Sequence, residues 1–114
     1  MKKKAIIISI KSYKLTKKEE KIFANENPWG LIIFKRNIKS FNQIKKLISK
    51  IRKLTNDDKF PIMIDEEGHT VTRLSKIINN DLSQKLIGDI YKSNPIIGLA
   101  IYKDYIKNLC IILN

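Results

Sequence analysis

Pro61-Ile62-Met63-Ile64-Asp65-Glu66-Glu67-Gly68-His69 holds the reading that decides the fold: an apolar run that stops at three consecutive carboxylates. A run of four to six apolar residues bounded by turn-forming residues reads as a buried strand. Pro61 is tolerated because a strand's first position needs no ladder N–H. A carboxylate cluster at the carboxyl end of such a strand is where parallel α/β proteins place ligand-binding groups. Were the strand to continue through Glu67, its period of two would send Asp65 and Glu67 to one side and Glu66 to the other. Arg73, eight residues after Asp65, supplies a forked donor for an acid or for a ligand oxygen. Gly68 allows a sharp turn or a close backbone approach. The single histidine, His69, reads as a solvent-exposed loop residue because no orienting partner is visible beside it.

Working back towards the amino terminus, Ala5 to Ile10 is a β-branched run and predicts a buried strand. Thr16-Lys17-Lys18-Glu19 has capping-box form and opens a helix through about Asn25, with Ile22 and Phe23 on its apolar side. Asn27-Pro28-Trp29-Gly30 reads as a turn, and Leu31 to Phe34 as a second buried strand ending in Lys35-Arg36-Asn37. Ser40 with Gln43 repeats the capping-box pattern. The helix it opens carries Ile44, Leu47, Ile48, Ile51 and Leu54 at three- and four-residue spacing. Arg36 and Glu67 are expected to pair across neighbouring strand ends, and Trp29, Phe34 and the tyrosines to pack in the core or between helices.

Beyond the acidic motif the pattern predicts a loop over 70–81, a weaker helix over 82–91, and a last helix from Asn94-Pro95. Leu99, Tyr102, Tyr105, Ile106, Leu109, Cys110 and Leu113 give the last helix a wide apolar face. Apolar strands alternating with amphipathic helices predict an α/β fold of about three parallel strands with flanking helices, read as one continuous unit over 1–114.

Composition narrows the function classes. The net charge is +12, but it comes from twenty lysines and three arginines spread along the whole chain. A dedicated nucleic-acid binder clusters its positive charge on one face and favours arginine, so nucleic acid is placed last among the candidate partners. One cysteine excludes an internal disulfide and fits a reducing compartment. No secretory signal is recognisable, and no window approaches the roughly 20 apolar residues of a membrane span. A cytoplasmic protein without a membrane partner is expected. No phosphate-binding glycine loop, zinc-ligand spacing or nucleophile elbow is present, so neither a cofactor nor a metal is expected.

The ordered combination of Trp29 to Ile38, Ile51-Arg52, Pro61 to Gly68 and Val71-Thr72-Arg73-Leu74 resembles the amino-terminal part of family 3 glycoside hydrolases. The nearer likeness is to the bacterial β-N-acetylglucosaminidases of peptidoglycan recycling. Those carry Phe-x-Arg-Asn, then Asp-Gln-Glu-Gly-Gly, then Val-x-Arg-Leu; this chain has Glu66 for Gln, His69 for the second Gly, and Ser12 where Gly is frequent. The resemblance implies a (β/α)8 barrel, of which this chain would be an incomplete amino-terminal portion, since a full barrel takes about 250 residues. It implies that Asp65 and Arg73 bind sugar hydroxyls in an N-acetylglucosamine subsite, within a retaining β-N-acetylhexosaminidase mechanism. The nucleophile and the histidine-loop acid/base of that family have no counterpart here, so no catalytic residue is assigned and the 114-residue chain is expected to be inactive. Self-association or a complementing chain would cover an unclosed sheet. The alternative is a non-catalytic α/β interaction module that assembles with a partner, and less favoured still is a cationic nucleic-acid binder.

Overall fold

The computed structural model describes residues 2–68, 70–79 and 81–113. Its elements run β1 (Lys4–Ile8), α1 (Lys17–Glu26), β2 (Pro28–Ile33), a single 3-10 turn (Lys35–Asn37), α2 (Phe41–Thr55), β3 (Ile62–Ile64), α3 (Gln84–Ser93) and α4 (Pro95–Leu113). The three strands form one parallel sheet in the order β1-β2-β3. Leu31, Ile32 and Ile33 sit opposite Ile62, Met63 and Ile64, while β1 is in irregular register between Lys4 and Ile7. This is the α/β arrangement that the alternating pattern predicts. The contacts gather into two compact units, Met1–Glu66 with Val71–Asn80, and Glu67–Thr70 with Asp81–Asn114.

In the first unit, the helix connecting β1 to β2 begins as its capping box dictates. Thr16 Oγ1 accepts from the Glu19 backbone N–H at 3.2 Å, and the Glu19 carboxylate accepts from the Thr16 backbone N–H at 2.7 Å. The other Glu19 oxygen takes the Lys11 N–H at 2.8 Å, so one side chain anchors both the helix and the loop before it. Burial alone would raise the Glu19 pKa, but the backbone N–H donors of Thr16 and Lys11 outweigh it and hold the carboxyl below its ordinary value of 4.5. A depressed folded-state pKa contributes stability above the unfolded value, and that contribution disappears as pH falls through the folded one. Glu19→Gln keeps one acceptor of the box but loses the charge, so with solvent screening it should cost less than about 1 kcal/mol at neutral pH. The gap between variant and parent should close as the pH is lowered past the carboxylate range. Urea denaturation at several pH values checks this, and a gap independent of pH refutes it.

Asn27, in the left-handed region at φ 44°, ends α1 in one residue. The predicted turn over 27–30 therefore contracts to Asn27 alone, and Pro28 already opens β2. Proline fits there because nothing requires its N–H at a strand's first position. Asn56, at φ 50°, ends α2 in the same way. Ile44, Leu47 and Ile51 of the α2 stripe are buried. They share the core with Phe23, Leu31, Ile33 and Phe60, and the rings of Phe23 and Phe60 meet edge-on at 6.0 Å. The second capping box is half realised: Ser40 Oγ accepts from Gln43 N–H, whereas the Gln43 side chain takes the Lys39 N–H.

Three expectations are corrected. β1 was read as a buried strand, yet Ile6 and Ile7 are 48% and 46% exposed. An edge strand has a neighbour on one side only, so its β-branched residues lack the cover that a central strand receives. Trp29 is exposed because β2 turns Pro28 and Gly30, its alternate neighbours, inward instead. Of the tyrosines only Tyr105 is buried; Tyr13, Tyr91 and Tyr102 are exposed.

The second unit pairs α3 with α4. Ser83 Oγ caps α3 by accepting from Leu86 N–H, and Asn94 Oδ1 accepts from Ile97 N–H at the start of α4. Ile87 and Tyr105 are its buried apolar residues, while Leu99, Tyr102 and Ile106 of the predicted apolar face are exposed. Among the described residues no helix is long and apolar enough to cross a membrane.

Candidate functional site

β3 ends at Ile64, so the strand alternation expected through Glu67 does not apply to the acids. Asp65 leaves the strand end and meets Arg73, Oδ2 to Nη2 at 3.2 Å. The Arg73 side chain is 28% exposed and that of Asp65 46%, so the pair lies at the surface with the carboxylate on the more open side. The two residues singled out in the sequence are thus brought together.

Glu66 has a different task. Its Oε2 accepts two backbone N–H bonds, from Arg73 at 2.6 Å and from Leu74 at 3.0 Å. A carboxylate that accepts neighbouring backbone donors fixes the peptide planes carrying them. Leu74, buried beneath, returns its carbonyl to the N–H groups of Ile77 and Ile78. Lys76 Nζ donates to the Ile38 carbonyl at 2.9 Å and ties this loop to the segment after β2. Arg73 Nε and Thr72 Oγ1 are buried without a hydrogen-bond partner among the described residues. Gly68 takes φ 81°, the sharp turn expected of it. The expectation for His69 falls outside the described residues.

At the end of β2 the motif Phe34-Lys35-Arg36-Asn37 closes inward. The buried Asn37 donates through Nδ2 to the carbonyls of Ile10 and Ser12, both at 2.9 Å. Its Oδ1 accepts from Phe34 N–H at 2.9 Å. Arg36 donates from Nε to the Ile10 carbonyl and from Nη2 to Ser9 Oγ, each at 3.1 Å, with its guanidinium over the Phe34 ring. The expected Arg36–Glu67 pairing is therefore corrected. The chain leaving β1 presents carbonyls that need donors, and Arg36 is spent on them. Among the described residues no group of three or more His, Cys, Asp or Glu is placed to hold a metal.

The sequence did not reveal the Glu66 clamp. Its only trace is an acid seven and eight positions ahead of two N–H groups, a spacing without periodic meaning.

The parallel sheet thus carries the Asp65–Arg73 pair at the carboxyl end of β3. The chain is 28% identical over 105 residues to a β-hexosaminidase of Psychromonas ingrahamii, an alignment covering 92% of this chain and 27% of that protein. Its structure is similar to NagZ of Neisseria gonorrhoeae in complex with zinc ion, with a TM-score of 0.67, 25% identity, and coverage of 79% of this chain and 27% of that one. NagZ in complex with N-trifluoroacetyl-D-glucosamine gives a TM-score of 0.65 at 27% identity, covering 78% and 26%. No family model matches. The chain spans about a quarter of the length of these relatives. Sequence and structure comparisons thus agree on a glycoside-hydrolase-like origin, with the fold of a partial (β/α)8 barrel.

Proposed function

We propose that this chain carries part of the sugar-binding rim of a family 3 β-N-acetylhexosaminidase, with Asp65 and Arg73 as its ligand contacts. Asp65 would accept hydrogen bonds from hydroxyls of an N-acetylglucosamine unit, and Arg73 would keep that carboxylate aimed. The observation that carries this reading is the 3.2 Å contact between Asp65 and Arg73 at the carboxyl end of β3, with the carboxylate left accessible. The similarity to a β-hexosaminidase and to a NagZ structure holding a glucosamine derivative supports the choice of sugar. Retaining hydrolysis needs a nucleophile and an acid/base, and the motifs for both would have to come from outside these 114 residues. A cytoplasmic role in peptidoglycan recycling is part of the same proposal.

Titration of the isotopically labelled chain with N-acetylglucosamine, followed by NMR, tests the assignment. We expect millimolar binding centred on 65–74, weakened at least about tenfold by Asp65→Ala, the loss expected for a hydrogen bond to a charged group. A chromogenic N-acetylglucosaminide should not be turned over. Shifts absent at saturating sugar, or unchanged in the variant, sink the rim assignment; hydrolysis sinks the expectation of inactivity.

A second reading, assembly with another chain, is favoured by the exposed edge strand β1 with Ile6 and Ile7 uncovered. Sedimentation that remains monomeric at every concentration, alone and with relatives of the family, removes it.

A further inference from the structure

A concave site lies in the first unit and shares no residue with the Asp65–Arg73 pair. The groove is about 570 Å³, between the loop that precedes α1 and the amino-terminal half of α2. That size is within the range of small-molecule pockets. Tyr13 and Lys14 line one side; Lys39, Gln43, Lys46 and Lys50 line the other. We propose that this groove binds a small molecule bearing an oligophosphate chain.

Charge is the first argument. Four ammonium groups line the groove and no carboxylate does. Of these four lysines only Lys50 forms an ion pair among the described residues, with Glu20. The first turn of α2 also lacks any acidic residue, whereas that of α1 carries Glu19 and Glu20. The positive end of the α2 dipole, whose cap Ser40 lines the groove, therefore adds to the lysines with nothing to offset it. Gathering like charges in one concavity costs free energy that a bound anion returns.

The second argument is that the walls are braced. Gln43 Nε2 donates to the Tyr13 carbonyl at 2.8 Å and to the Asn37 carbonyl at 3.1 Å, while its Oε1 accepts from Lys39 N–H at 2.7 Å. One side chain thus fixes the loop, the end of the 3-10 turn and the start of α2 in one arrangement. The ammonium groups of Lys14 and Lys39 lie 5.8 and 5.6 Å from the centre of the Tyr13 ring, so lysines from the two sides flank the same ring.

Ligand class follows from donor type. Lysine ammoniums are point charges that suit phosphate oxygens, and with no carboxylate or guanidinium among its lining residues the groove has little with which to orient sugar hydroxyls or planar carboxylates. Several positive charges in one pocket call for a multiply charged anion of comparable size. The evenly spread lysines of the sequence hid this site, because its members come from separate segments that only folding brings together.

Calorimetric titration of the full chain with inorganic triphosphate, at low and at physiological salt, decides the matter. We expect saturable one-to-one binding that weakens with salt. Lys39→Glu with Lys46→Glu should weaken it at least about tenfold, while Lys103→Glu with Lys107→Glu, the same charge change on α4, should alter it less than about twofold. Lys39→Gln with Lys46→Gln, checked for fold by circular dichroism, gives a milder version of the same loss. A nucleoside triphosphate should bind at least as well as triphosphate alone. Equal weakening by both glutamate pairs, absence of saturation, or tighter binding of single-stranded oligonucleotides that grows with their length would each overturn the proposal.

Discussion

Asn37→Ala is expected to destabilise the first unit by about 3 kcal/mol, a large fraction of the whole stability of a chain of ordinary marginal stability. Asn37 is completely buried, and its amide makes three hydrogen bonds: two donated, to Ile10 and Ser12, and one accepted, from Phe34. Alanine leaves the Ser12 carbonyl and the Phe34 N–H without these partners, at about 1–3 kcal/mol each before relaxation, and leaves the Ile10 carbonyl with Arg36 as its one remaining donor. The chemistry of the amide gives a sharper version. Asn37→Asp keeps an acceptor for Phe34 but turns an oxygen towards two carbonyl oxygens. It should be at least as damaging at neutral pH and partly recover in acid, where the protonated carboxyl donates once. Urea denaturation measures both; a loss below about 1 kcal/mol for the alanine variant would mean that these bonds are not what holds the β1 and β2 ends together.

Gly98→Ala should open the α3–α4 pair. A Cβ at position 98 would lie 2.5 Å from Tyr91 Cα, 2.7 Å from its N and 2.8 Å from its Cβ. These are backbone atoms or atoms fixed to the backbone, so no rotamer change relieves the collision and the helices must separate. Alanine gains about 1 kcal/mol of helix propensity over glycine. Overpacking costs about 1–3 kcal/mol, and a clash against backbone falls at the upper end. The net loss should appear as faster amide exchange over 84–113. Gly88→Ala on α3 is the internal control: nothing lies within 4 Å of its added Cβ, so the same change should stabilise by up to about 1 kcal/mol. If both substitutions shift stability in the same direction, the close helix contact is not real.

What could be read in the sequence were the features set by neighbours along the chain. The Thr16–Glu19 box, the apolar stripe of α2 and the asparagine and proline at the start of α4 all act within one helical turn or one helix face. The parallel order of three strands followed from their separation by helices. Features depending on what lies opposite were not legible. The Ile-rich run of β1 has the composition of a central strand, and only its place at the sheet edge leaves Ile6 and Ile7 open. Arg36 could have met an acid or a carbonyl; the carbonyl of Ile10, which it shares with Asn37, decided it. That Asp65 and Arg73 would meet could be suspected from their motif, whereas the hold of Glu66 on the loop carried no mark of its own.

The double grip of Glu66 on the peptide groups of Arg73 and Leu74 bears on the thermodynamics of the rim. It holds the arginine's main chain in position while the rim is empty. A guest reaching Asp65 would not have to freeze that segment, so the entropic toll of ordering a floppy loop is largely avoided. A weak sugar contact at this edge would accordingly gain its affinity from a ready-made cradle rather than from closure around the ligand.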